Sequence, residues 1–117
     1  MSRIHRELLR GAGPVTVLRL LKGSGPMYGY ELAEALDRRT DGVLAMGHST
    51  LYPLLYSLEA KGLIEADWRE AESGRRRKYY TLTARGEASL SAQQQEWRRL
   101  IQALAGLGML EPAGVEG

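Results

Sequence analysis

The 117 residues suffice for one domain with a small core of its own, and fall short of two. An apolar share of 44% and a charged share of 26% describe an ordinary globular chain, and the lack of cysteine excludes disulfides, thiolate metal sites and cysteine nucleophiles. The net charge of only +2 hides a local excess: residues 75–86 hold five Lys or Arg and no acid, whereas 40–74 hold two against six acids.

The N-terminal "MSRIHRELLRGAG" is charged throughout and has no apolar signal core. No window approaches the ~20 apolar residues of a membrane span, so the expected place is the cytoplasm, with no membrane partner. A first apolar stripe runs through Ile4, Leu8, Leu9, Val15, Val17, Leu18, Leu20 and Leu21, interrupted by Gly11, Gly13 and Pro14. It reads as one helix with a break or as two helical pieces. "GSGP" at 23–26 stops it, and "MYGYELAEALDRR" supplies a second, short helix with Leu32, Ala33 and Leu36 on one side. "TDGVLAMG" at 40–47 reads as a connection.

From Ser49 onward Leu51, Leu54, Leu55 and Leu58 keep helical spacing. Pro53 restricts the start of this third helix to about Ser49 or later, with Ser49 or Thr50 as its cap. Lys61 and Gly62 end it. Ile64, Ala66 and Trp68 then alternate with Glu65, Asp67 and Arg69, as a half-buried strand requires, which places Trp68 in the core. "EAESGR" is a turn closed by Gly74, and "RKYYTL" returns as the second strand. One of Tyr79 and Tyr80 packs while the other faces out, and Tyr30 is assigned to the core. "TARGEASLSAQQQEWRRLIQALAGLGML" is a long final helix capped by Thr83, and the tail "EPAGVEG" frays.

The expected fold is therefore mainly α with a small β-hairpin. A winged helix-turn-helix head spans 1–82, a C-terminal dimerisation helix 83–111 and a flexible tail 112–117. Such an order suits duplex DNA. A helix fits the major groove when one face is polar, and the face opposite Leu51, Leu54 and Leu58 offers Ser49, Thr50, Tyr52, Pro53, Tyr56 and Ser57. Arg75, Arg76, Arg77 and Lys78 then sit on the hairpin tip, in reach of phosphates or the adjoining minor groove. A basic hairpin can also be a solvated turn, but four cations directly after such a helix fit nucleic acid better.

Three stretches carry a resemblance. "GPMYGYELAEAL", "STLYPLLYSLEAKGLIEADW" and "GRRRKYYTLTARGEASL", in this order from Gly25 to Leu90, resemble the successive signatures of the PadR family of transcriptional regulators. The resemblance implies a homodimeric repressor that binds an inverted-repeat operator in double-stranded DNA and is released by a small aromatic or drug-like effector. It implies DNA contacts at Tyr28, at Ser49, Thr50 and Tyr52, and along the wing at Gly74, Arg75, Arg76, Arg77 and Lys78, with His48 at the edge of the set. Pro53 joins the expected contacts from its place on the outward face of the third helix. The subunit interface is expected at Leu8, Leu90, Trp97, Leu100, Ile101 and Leu104.

Trp97 has two readings: an aromatic of the dimer core, or, by the resemblance, an effector-stacking wall facing its mate. Catalysis finds no support. His5 and His48 belong to no triad or metal spacing, neither "GSGP" nor "GAG" is a phosphate loop, and no metal or cofactor is expected. The rival to a DNA reader is a winged-helix module that docks on protein and senses no effector. Such modules usually shed the wing cations that this chain keeps.

Overall fold

The computed structural model describes residues 2–110, so the tail expected at 112–117 lies outside the described residues. Helix α1 (Arg3–Ser24) is continuous, and the break expected at Gly11–Pro14 is absent although Pro14 stands inside it. An internal proline costs about 3 kcal/mol. Here Leu9 before the ring and Val15, Val17, Leu18, Leu20 and Leu21 after it are all buried, and that burial holds the helix through the defect.

Met27 and Tyr28 form a short strand, β1, and helix α2 begins only at Gly29 (Gly29–Arg39). The sequence reading merges the two, because a two-residue strand has no periodicity to read. Helix α3 (His48–Ala60) also departs from expectation. It starts at His48 with Gly47 as N-cap and no side-chain cap, so neither Ser49 nor Thr50 caps it. Pro53 consequently lies in the second turn, where it has no N–H to give the Ser49 carbonyl. Leu51, Leu55 and Leu58 face the core. The end at Lys61–Gly62 is as expected: Gly62 takes φ 75°, and the Leu63 amide donates to the Leu58 carbonyl at 3.0 Å.

Strands β2 (Ile64–Glu70) and β3 (Arg76–Leu82) form the hairpin, and β1 adds to the far side of β3, giving an antiparallel sheet in the order β1-β3-β2. Gly74 closes the turn at φ 84°. The register pairs Ile64 with Leu82, Ala66 with Tyr80 and Trp68 with Lys78, which puts these six on the face towards the helices. Tyr80 is 1% exposed in the core, so it is the packing member of the tyrosine pair. Trp68 corrects the sequence reading. It points to the inward face, yet it is 56% exposed, because the hairpin extends beyond the helices that would cover it. Tyr30 is likewise 61% exposed rather than core.

Helix α4 (Ala84–Gly106) is capped by Thr83, whose hydroxyl accepts from the Gly86 amide at 2.9 Å and donates to the Gly62 carbonyl at 2.7 Å. A Cβ at Gly86 would collide with the Leu63 carbonyl oxygen, so only glycine lets α4 seat against the entrance of β2. The helix ends at Gly106, short of the 111 expected. Its apolar stripe is consumed unevenly. Leu90, expected at a subunit interface, is 1% exposed inside the protomer's own core, and this assignment is corrected. Trp97 and Leu104 are half-buried, while Leu100 and Ile101 are exposed because α4 outruns the head. The radius of gyration, 16.2 Å, exceeds the ~13 Å of a compact chain this long for that reason. Among the described residues no helix is long and apolar enough to cross a membrane.

Candidate nucleic-acid interface

The site is built around the outer ridge of α3. With Leu51, Leu55 and Leu58 turned inward, the 3.6-residue period leaves His48, Ser49, Thr50, Pro53, Tyr56 and Ser57 exposed. The first turn of α3 has no acidic residue and no side-chain cap, so its free amides add the positive end of the helix dipole to this surface.

Tyr52 stands on the shoulder of the ridge and is half-buried. Its hydroxyl lies 2.5 Å from where a Cβ of Gly29 would be, so glycine at the start of α2 is what admits the phenol. Tyr52 stacks on His48 with centroids 5.3 Å apart, and Tyr56 follows at 6.3 Å. A ladder of three rings thus runs along α3 on the side towards the hairpin.

The wing cations do not cluster at the tip as the sequence reading places them. Only Arg75 belongs to the turn, with Gly74 beside it; Arg76, Arg77 and Lys78 run down β3 on alternate faces. Arg76 lies over the exposed Trp68 ring at 5.7 Å, and Arg77 over Tyr28 at 4.4 Å. These two guanidiniums are held in place by aromatic faces, and neither forms an ion pair among the described residues. Tyr28 in turn meets Tyr79 edge-on at 5.5 Å on the outer face of the sheet. Arg69 covers Tyr79 at 5.5 Å and, unlike the other two, also pairs with Asp67 at 3.0 Å.

Lys78 is different. Its ammonium donates to Glu59 of α3 at 3.1 Å, and the two side chains are only 27% and 35% exposed. Burial alone would lower the pKa of Lys78. The hydrogen bond to Glu59, with the charges of Tyr80, Glu59 and Tyr56, outweighs it and leaves the pKa raised. Burial also raises the pKa of the Tyr80 phenol, against the opposing pull of Lys78. The pair ties the hairpin to α3.

Between α3 and the wing lies an open cleft of about 330 Å3, walled by Tyr52 and Tyr56 on one side and Trp68, Arg76 and Lys78 on the other. Tyr28 lines its end. The structure therefore brings Tyr28, Tyr52, Arg76, Arg77 and Lys78 together around one cleft, and leaves Ser49, Thr50 and Pro53 on the ridge away from it. Sequence reasoning missed Trp68 and Glu59 as parts of this surface. The over-long hairpin was a signal for Trp68; a contact between residues nineteen apart left none for Glu59. Trp97 and the exposed Leu8, Leu100 and Ile101 lie outside this surface, on α1 and α4. Among the described residues no group of three or more His, Cys, Asp or Glu could hold a metal ion.

Comparison with known proteins places this geometry. Residues 17–92 match the family described as Transcriptional regulator PadR-like. An uncharacterized protein of Lysinibacillus sphaericus is 34% identical over 94 residues, which is 80% of this chain and 85% of that protein. The crystal structure of a PadR family transcriptional regulator from Eggerthella lenta superposes with a TM-score of 0.75 at 32% identity, covering 90% of this chain and 88% of that one. A PadR-like transcriptional regulator from Bacillus cereus gives 0.77 at 28% identity, over 90% and 99%.

The Lys78–Glu59 tether carries a stability prediction. In a double-mutant cycle with Lys78→Met and Glu59→Gln, urea unfolding should give a coupling of about 0.5–1 kcal/mol at neutral pH. Because the folded-state pKa of Lys78 is raised, the contribution is complete below the ordinary lysine value of 10.5 and fades as the pH climbs through the folded-state pKa. A cycle that closes to zero at pH 7 would remove the tether.

Proposed function

The chain belongs to the PadR-like family of transcriptional regulators, and on that premise we propose that it is a homodimeric repressor that reads an inverted-repeat operator and is released by a small aromatic effector. The family consists of non-enzymatic, DNA-binding regulators of transcription, so the general activity is regulation through DNA and not catalysis. The observation that carries the finer reading is the pairing of a hydroxyl-bearing, acid-free ridge on α3 with guanidiniums on the adjoining wing that form no ion pair among the described residues.

The ridge reads bases and the wing holds backbone. Ser49 and Thr50 are short donors and acceptors that reach base edges, while Arg75, Arg76 and Arg77 meet phosphates that carry no sequence information. Replacing the three arginines with alanine weakens binding to every duplex and lowers the slope of log affinity against log salt by about 0.9 for each phosphate no longer neutralised. Thr50→Ala instead narrows the gap between operator and random DNA. Competition binding across a salt series checks both. An unchanged slope in the wing variant moves the duplex off this surface and favours the protein-docking alternative.

Dimerisation is supported by the apolar face that one head does not cover. Ile4 and Leu8 of α1 and Leu100 and Ile101 of α4 are all exposed. Burying them against a second copy stabilises at about 25 cal/mol per Å2 and sets two recognition helices roughly 10 bp apart on one DNA face. Ile101→Asp puts an unpaired charge in that interface and should give monomer or unfolded chain in sedimentation. A folded wild-type monomer at micromolar concentration would end the paired-head reading.

Trp97 lies where the stripe of α4 passes from core to surface. Across a dimer it can form a stacking wall for a flat aromatic molecule, whose binding shifts the spacing of the heads and not the DNA contacts themselves. Trp68 is exposed and fluoresces as well, so the test uses a Trp68→Phe background. Planar cationic dyes should quench Trp97 saturably there and lower operator affinity. If no such dye binds, Trp97 is packing alone.

A further inference from the structure

We propose that Arg6 and Arg10 of α1 form a second phosphate-binding rail for DNA, on the flank of the recognition helix away from the wing. The inference rests on the reading of α3 as the helix that enters the major groove.

A helix seated in a major groove has a sugar–phosphate strand on either side, because its 10–12 Å width nearly fills the ~12 Å groove. The wing serves one strand only. On the other side of α3 lies a cleft of about 510 Å3 against α1, lined among others by Arg6, Arg10, Ser49, Thr50, Pro53 and Leu54. Ser49, Thr50 and Pro53 are the exposed ridge itself, so a duplex that touches the ridge also passes over this cleft. Among the described residues no acidic side chain lines it.

The two arginines are placed for phosphate. They stand four residues apart on one face of α1, about one helical turn of 5.4 Å, so that two long side chains can reach neighbouring phosphates of one strand. Both are exposed; Arg6 already makes an interaction within the protein that a phosphate would have to share, and Arg10 has no ion-pair partner among the described residues. The nearby acid Glu7 is engaged by Arg3 at 3.5 Å. By helical period Ile4 and Leu8 fall on the opposite side of α1, so the rail does not compete with the apolar face left for a second copy. The apolar floor of the cleft, Pro53 and Leu54, suits the deoxyribose edge of a strand whose phosphates pair with guanidinium.

The test measures salt dependence in full-length protein. Arg6→Gln/Arg10→Gln should lower the slope of log affinity against log salt by about 1.8 and weaken operator and random duplexes by the same factor. Arg6→Lys/Arg10→Lys should restore the slope. Arg76→Ala, measured alongside, separates the two readings. A slope that falls for Arg76→Ala but stays at the wild-type value for the α1 pair overturns the rail alone; no change in either removes DNA from the ridge. Ethylation interference on the wild-type complex needs no variant. Blocked phosphates on both edges of the contacted major groove support the rail, and blocked phosphates on the wing edge only overturn it.

Discussion

The rotation of α3 about its own axis is the constraint on which the rest depends. Leu51, Leu55 and Leu58 are almost wholly buried, and each contributes about 1.5–3 kcal/mol by leaving water. Turning the helix by one residue would expose them and bury Ser49 or Tyr56 without partners. The outward ridge is therefore a consequence of core packing rather than of any contact of its own. Gly29 and the Glu59–Lys78 tether then set what flanks it: one makes room for the Tyr52 phenol, the other holds β3 beside the helix.

A division of labour among the basic residues follows. Lys78 spends its charge inside the protein, whereas Arg76 and Arg77 rest on aromatic faces that orient a guanidinium and leave its donors available. Aromatic residues here act as supports for cations, which accounts for tyrosine and tryptophan lying among the wing's charges without contributing much to the core. Tyr80 is the exception, and its burial anchors the hairpin to the head.

Much of this was legible in the sequence because periodicity reports burial. The leucines of α3, the alternation of β2 and β3 and the Thr83 cap all read directly, whereas the cations read to the hairpin tip lie mostly along β3. The misreadings share a cause: periodicity gives direction but not depth. Trp68 points inward yet lies beyond the head, Leu90 lies on the dimer-like stripe yet within reach of its own core, and Tyr30 stands in the first turn of α2, ahead of its buried Leu32, Ala35 and Leu36. Pro14 and Pro53 were given the force they have in isolated helices, where no tertiary burial opposes them. The Glu59–Lys78 pair and the α1–α3 cleft join distant segments, and no local pattern announces either.

Amide spectra of the labelled full-length protein, titrated with a duplex selected from a random library, test most directly whether the ridge of α3, framed by its basic flanks, is the DNA-contacting surface. The largest perturbations should fall on His48–Ser57 and Arg75–Lys78. Perturbations confined to the exposed side of α2 around Glu34 and Arg38, or to α4, with the α3 amides unmoved, would contradict it.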